Sequence, residues 1–407
     1  MILLLCRDNN CRGGDMTDET DTAGYPGWGA LSGVRILDLS VLLPGPFATE
    51  ILADLGADVV KVEPPKGDNA RHMPMEMFRM ANRNKRSICL DLKNPASRPA
   101  IAALALWADV VVEGFRPGVT ERLGVSWAQL SELNERLVYC SISGYGQSGP
   151  SRLLPGHDLN YMAAGGALSL KGRWLDDKPA RSGLPVSDVA GSSFAVITIL
   201  SALLKRERDG KGSYIDVALA DAALSFTALR RGLDIDDPER LHLYPTNDLF
   251  ETADGRTIVL GLVEDEFWQN FRRLLANEAP ELGHARYDDE TSRRRHGDEL
   301  SRALAAVMRR RTGAEWLALL SPHNIPVQLV LTPREAAQSA QVRQRRIVRG
   351  IDGESHIPFP VLVDGEPAGA ARTGAPEKGQ HGRQILAELG LPEAQITAAL
   401  ATGEIGA

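Results

Sequence analysis

A doubly wound α/β fold, with a parallel sheet covered by helices on both faces, is what residues 31–234 predict. A smaller α+β domain succeeds it in the chain. Three observations carry this reading. Short apolar runs bounded by turn residues recur from Leu31 onward. Stretches of helical spacing separate those runs, so the strands must run parallel. After residue 235 the alternation gives way to a hairpin and a cluster of amphipathic helices.

In chain order, Val34 to Leu39 reads as a buried strand, Pro44-Gly45-Pro46 as a turn, and Phe47 to Leu55 as a helix. Asp58 to Glu63 is a second strand, stopped by Pro64-Pro65, which cannot extend a ladder. Ser87 to Leu92 is a third. Helix 96–107 leads to strand Asp109 to Glu113, and helix 126–134 to strand 136–142. Ligands of such sheets bind beyond the carboxyl ends of the strands. Loops 41–46, 63–71, 113–118 and 143–158 are therefore expected to form one mouth.

Helix 158–166 comes next. Val189 to Arg208 reads as a long apolar helix, ended by Asp209-Gly210-Lys211-Gly212. A strand, Ser213 to Leu219, and a helix, Asp221 to Arg231, close the large domain. In the small domain, 235–335, Ala253-Asp254-Gly255 turns a hairpin. Beyond the hairpin come helix 265–275, a charged loop-like stretch 279–298, helices 299–311 and 313–320, and a strand 326–331. Residues 336–407 form a return segment whose helices, 382–389 and 392–401, rejoin the large domain. Residues 1–30 read as an irregular extension, and Met16 is a candidate start.

The 407 residues exceed one simple domain, and a 43% hydrophobic fraction suits an ordinary core. A net charge of −7, with both signs interspersed, argues against a nucleic-acid partner. The basic runs 293–295, 309–311 and 343–346 read as solvated helix faces. Four cysteines are too few for a disulfide framework, and Cys89 and Cys140 read as buried thiols. No signal peptide is recognisable, and no apolar run is read as long enough to span a membrane. A cytoplasmic protein without a metal site is expected.

Chemistry concentrates between Ser141 and Asp188. A glycine-rich loop, 143–149, lets backbone N–H groups approach a ligand. His157 offers an imidazole, a side chain often recruited for proton transfer. Asp188 stands where the long apolar helix begins, as a reactive carboxyl or as an N-cap. Gly144, Gly146 and Gly149 match a dinucleotide fingerprint. That fingerprint needs a helix opening on its last glycine, and Pro150, Pro155 and Gly156 argue against one.

Ordered motifs run through residues 31–375: Leu-x-Gly-Val-Arg-Ile-Leu-Asp at 31–38, Pro44-Gly45-Pro46, Leu-Gly-Ala-Asp-Val-Val-Lys-Val-Glu at 55–63, Asn84 to Ser87, Leu90 to Lys93, Val112 to Gly118 and Ser143 to Gly146. On these the chain resembles the class III CoA-transferase superfamily, which includes CoA-transferases and α-methylacyl-CoA racemases. The resemblance implies an interlocked homodimer and an acyl-CoA substrate, with coenzyme A as part of the thioester and no bound cofactor. It implies that Asp188 is the reactive carboxylate of either subgroup. Gly156-His157-Asp158-Leu159-Asn160-Tyr161 is similar to the racemase pattern, in which the histidine works with that aspartate. Glu264 matches a glutamate that supports the histidine. After Asp188 the chain departs from the racemase glycines, offering Val-Ala-Gly-Ser-Ser.

The family positions that hold CoA match Leu42, Leu43, Pro44, Lys93, Gly114, Phe115, Arg122 and Tyr145. Pro64 replaces a frequent basic residue, so Lys66 or Arg71 is expected to meet phosphate, although each could be a loop cation. Phe115 could stack on adenine or pack in the core.

The expected activity is racemisation or epimerisation at the α-carbon of a 2-methyl-branched or similar acyl-CoA. A thioester acidifies its α C–H, and inversion needs one base on each face. His157 and Asp188 would supply them, and Glu264 would fix the imidazole tautomer. Asp158 is a further candidate, either near the enolate oxygen or as a helix cap. The alternative is a CoA-transferase working through an Asp188 acyl anhydride.

Overall fold

The computed structural model describes residues 27–73, 76–169, 182–231 and 244–403. Most of the expected N-terminal extension, Met16 and the domain boundary at 235 lie outside the described residues. The chain divides into two compact units. One comprises Met1–Pro155, Asp188–Leu219 and Gln341–Ala407; the other comprises Gly156–Ser187 and Ala220–Ala340. The second unit thus includes 156–187 and, from Ala220 on, the helix expected at Asp221 to Arg231, both of which the sequence reading kept in the large domain.

The first unit is built on a six-stranded sheet: β1 (Arg35–Asp38), β2 (Asp58–Glu63), β3 (Lys85–Cys89), β4 (Val110–Glu113), β5 (Val138–Ser143) and β6 (Ser213–Ala218). The order is β3-β2-β1-β4-β5-β6 and every pairing is parallel. Leu37 of β1 sits level with Val60 on one side and Val111 on the other. Valine and isoleucine dominate these strands because both sheet faces are covered. On one face Leu37, Val60, Ile88, Val111 and Tyr139 pack with Leu104 and Leu130, and with Ile385, Leu386 and Ile396 of the C-terminal helices. The strand order reverses between β1 and β4, so the ligand crevice of such a sheet lies at their carboxyl ends.

Pro44-Gly45-Pro46, read as a turn, is the first turn of helix Pro44–Asp54. Proline is tolerated there because that N–H has no intrahelical partner. The long helix Val186–Asp209 has 24 residues and a mean hydropathy of 1.6 over its apolar window. The expectation that no apolar run reaches spanning length is therefore corrected. Half of that window is buried, as in the core helix of a globular unit. Cys89 and Cys140 are buried free thiols.

In the second unit β7 (Asn247–Glu251), β8 (Thr257–Gly261) and β9 (Val327–Leu329) form an antiparallel sheet. Gly255 turns the first hairpin at φ +72°. Phe250, Ile258, Trp268, Phe271, Leu304 and Trp316 form the core. The stretch 279–298, expected as loop, holds short 3-10 turns, the helix Glu290–Arg295 and the start of helix Gly297–Met308. Its Arg293 is buried, correcting the reading of that run as a solvated face. The guanidinium donates to the Tyr287 and Asp288 carbonyls, pairs with Asp265 and lies over the Trp268 ring. A buried arginine persists only when its donors are used.

Candidate active site

The crevice begins at Asp38, the last residue of β1. Its carboxylate accepts from the Ser40 N–H at 2.9 Å, from the Ser40 hydroxyl, from Thr49 Oγ1 at 2.7 Å and from Lys85 Nζ at 3.1 Å. Burial works against ionisation here, but Lys85, Lys61 and the hydroxyl donors outweigh it and hold the carboxyl far below its ordinary range. Gly45 is required next door, since a Cβ there would lie 2.2 Å from that of Ser40. Lys61 interrupts the apolar middle of β2, Val59 to Val62. Its Nζ donates to the Ser40 carbonyl at 2.7 Å and pairs with Asp68 at 2.9 Å. Asp68 in turn accepts from the Leu42 N–H at 3.0 Å. Leu42 adopts φ +68°, in the left-handed region that side-chain-bearing residues avoid. Leu42, Leu43 and Pro44, all expected at CoA, thus sit on a loop fixed by buried charge.

The expected cations divide. Arg71 is committed elsewhere: Nε and Nη2 reach both Glu63 oxygens at 2.7 and 2.8 Å, and Nη2 also donates to the Pro376 carbonyl. Its guanidinium lies 3.6 Å from the Phe78 ring centroid. The phosphate contact expected of Arg71 is corrected to a structural pairing with buried Glu63. Burial opposes ionisation of Glu63, but Arg71 and Ser87 lower its pKa. Lys66, Lys93 and Arg122 are exposed. Gly114 is exposed, Tyr145 is half-buried, and Phe115 packs against the sheet core. Glu113 closes β4, bonded to the Ser141 hydroxyl and to the Phe115 N–H at 2.7 Å. Burial pushes its carboxyl up to about 7. Gly149 is followed by turns, and the next helix opens at Asp158, so the dinucleotide fingerprint lacks its helix.

The Gly-His-Asp-x-Asn-Tyr motif lies in the second unit and explains itself locally. His157 precedes helix Asp158–Ala164, and the Asn160 side-chain oxygen accepts its N–H at 3.0 Å. The Tyr161 hydroxyl donates to the Gly156 carbonyl. A Cβ on Gly156 would meet the Tyr161 ring at 2.6 Å. Glycine, asparagine and tyrosine therefore fix the backbone of an exposed imidazole. Asp158 accepts from the Ser187 N–H at 2.8 Å and hydroxyl at 2.6 Å. It latches the residue before Asp188. Glu264 is exposed at the start of helix Asp265–Leu274, and no hydrogen bond or ion pair among the described residues joins it to His157.

Asp188 is half-buried in the first turn of helix Val186–Asp209 and belongs to the first unit. One turn on, the buried Ser192 hydroxyl lies 2.7 Å from both the Asp188 and the Pro44 carbonyls. Gly191 is needed because a Cβ there would lie 2.2 Å from Leu219 Cδ2. The structure thus joins Asp188 to the Leu42–Pro44 loop, whereas His157 and Asp158 stand in the other unit. Sequence reasoning missed Lys61, Asp68, Glu113 and Ser192. A lysine inside Val-Val-Lys-Val was the available signal, since a strand buried on both faces tolerates a charge only when it is paired.

Comparison with known proteins places the chain in a family. The model of CoA-transferase family III matches residues 31–382, and the chain belongs to that family. An acyl-CoA transferase from Fusarium pseudograminearum is 35% identical over 392 residues, covering 89% of this chain and 85% of that protein. Human alpha-methylacyl-CoA racemase is 32% identical over 381 residues, covering 90% and 95% respectively. The crystal structure of a CAIB/BAIF family protein from Brucella suis superposes with a TM-score of 0.76 at 27% identity, over 88% of this chain and 99% of that one.

Proposed function

We propose that this member of the family is an acyl-CoA racemase or epimerase acting at the α-carbon of a 2-methyl-branched or similar thioester. The observation that carries the reading is His157. Its backbone is braced by Gly156, Asn160 and Tyr161 while its ring is exposed. An anhydride mechanism has no use for such a base. In the proposed reaction His157 takes the α-proton from one face, leaving an enolate on the thioester. A protonated Asp188 gives its proton to the other face, and the reverse direction exchanges the roles. No hydrogen bond or ion pair joins Glu264 to His157 among the described residues, so Glu264 has no part in this reaction. Lys66, Lys93 and Arg122 are exposed cations suited to the CoA phosphates. An interlocked homodimer in the cytoplasm is part of this reading. Val189, Ile197 and Leu204, exposed on helix Val186–Asp209, give it apolar surface to cover.

A second reading, CoA transfer through an Asp188 anhydride, is favoured by the similarity to the Fusarium acyl-CoA transferase. One experiment separates them. Enzyme and enantiopure 2-methylacyl-CoA are incubated in D2O, with and without a free acid acceptor. Deuterium entering the α-carbon without acceptor supports racemisation. CoA moving only when acid is added, with no label, overturns it. The His157→Ala variant should lose inversion while retaining at most exchange from one enantiomer; full racemisation by it would remove His157 from the reaction.

A further inference from the structure

We propose that Asp68 and Ser192 are positioning residues that clamp the Leu42–Pro44 loop against the turn carrying Asp188, and so set the attitude of the Asp188 carboxyl. This rests on Asp188 being a reacting group, as argued above. Three observations carry it: the backbone of Leu42, the buried ion pair behind it, and the hydroxyl that bridges loop and helix. Leu42 is one of six non-glycine residues at positive φ among the described residues, at +68°. Such a conformation persists only where the surroundings impose it, and it clusters at functional sites.

The surroundings here are specific. Asp68 Oδ1 accepts from the Leu42 N–H at 3.0 Å and the Ala70 N–H at 2.9 Å, and Oδ2 lies 2.9 Å from Lys61 Nζ. Both side chains of that ion pair are fully buried. Lys61 also donates to the Ser40 carbonyl at 2.7 Å, so the pair grips the loop two residues apart. On its far side the loop presents the Pro44 carbonyl to Ser192 Oγ at 2.7 Å, and the same hydroxyl lies 2.7 Å from the Asp188 carbonyl. One hydroxyl proton is shared between a loop acceptor and a helix acceptor. Glycine at position 192 would offer no such link. The chain of contacts therefore runs Lys61, Asp68, Leu42, Pro44, Ser192, Asp188.

The test is a double-mutant cycle on the full chain, because coupling rather than single loss identifies a clamp. In the Asp68→Ala variant kcat should fall by about tenfold or more, and adding Leu42→Gly, which takes a left-handed backbone without strain, should restore about fivefold. Leu42→Gly in the native background should not raise kcat. Ser192→Ala should lower kcat while moving KM less than about twofold, since the hydroxyl orients the reacting group and not CoA. A merely structural Asp68 predicts the same Leu42→Gly factor in both backgrounds, and that result overturns the proposal. Where Asp68→Ala does not fold, Asp68→Asn keeps the acceptor for Leu42 but leaves Lys61 without its counter-charge, and should act in the same direction. Amide hydrogen exchange over peptide 40–46, read by mass spectrometry, is independent of turnover. Protection at Leu42 should drop about tenfold or more in Asp68→Ala. Unchanged protection overturns the clamp, whereas an enzyme that neither exchanges deuterium nor moves CoA sinks the functional reading and leaves the clamp to be judged by exchange alone.

Discussion

Replacing Asp158 by alanine separates two roles that the sequence leaves open. The carboxylate accepts two bonds from Ser187, the N–H at 2.8 Å and the hydroxyl at 2.6 Å. Hydrogen bonds to a charged group contribute roughly 1.5–3 kcal/mol each. Asp158 is half-buried and both bonds come from one residue, so their loss does not add fully. Asp158→Ala should therefore destabilise the protein by about 2–3 kcal/mol, and Asp158→Asn, which keeps one acceptor, by about 1 kcal/mol. The urea midpoint measures this, with exchange of the Ser187 amide as the local readout. Ser187→Ala added to Asp158→Ala should cost less than it does alone, because its hydroxyl then keeps only the Asp158 main-chain carbonyl at 3.1 Å. Turnover should fall only modestly. A hundredfold loss of kcat, with an unmoved urea midpoint and unchanged Ser187 exchange, would refute the latch and make Asp158 a participant in the chemistry.

The same geometry yields further expected outcomes. Burial raises Glu113 from an ordinary 4.5 to about 7, so between those values the folded state keeps a proton that the unfolded chain has lost. Stability should fall as pH rises through that window and level off above it, by on the order of 3 kcal/mol in all. Glu113→Gln should abolish that dependence, and identical melting profiles against pH in both proteins would refute it. Gly212→Ala places a Cβ 1.9 Å from the Leu137 carbonyl oxygen, so it should part β5 from β6 and yield little soluble protein. Alanine at Lys66, Lys93 or Arg122 should raise KM for acyl-CoA with little change in kcat, whereas Arg71→Ala should lower the urea midpoint by stranding Glu63.

The sheet was legible because its strands leave a compositional trace. Val-Val-Lys-Val in β2 and Val-Val-Val in β4 are what a surface covered on both faces demands. Errors fell where local chemistry depends on distant partners. Pro44-Gly45-Pro46 carries turn residues, yet it opens a helix, where proline is tolerated in the first turn and Gly45 is set by its close approach to Ser40. The run 293–295 carries surface residues, yet Arg293 is drawn inward by carbonyls at the end of a 3-10 turn. Helix Val186–Asp209 begins before the expected Val189, because Leu184-Pro185 masks its first turn.

The reacting groups proposed for the candidate site could be named from the sequence, and its supports could not. His157 and Asp188 announce themselves, since an imidazole and a helix-start carboxyl are the residue types that such chemistry recruits. Arg71 announces itself equally well and is misleading. A cation in a strand-end loop has no sequence mark that distinguishes a phosphate contact from a pairing with a buried glutamate eight residues earlier. Glu63 decides the matter, because a fully buried carboxylate cannot go unpaired while a phosphate can find other cations. The same reasoning explains why Lys61 and Asp68 went unnoticed. Each carries the charge that compensates the other, and their pairing becomes visible only once β2 and the loop after it are folded together.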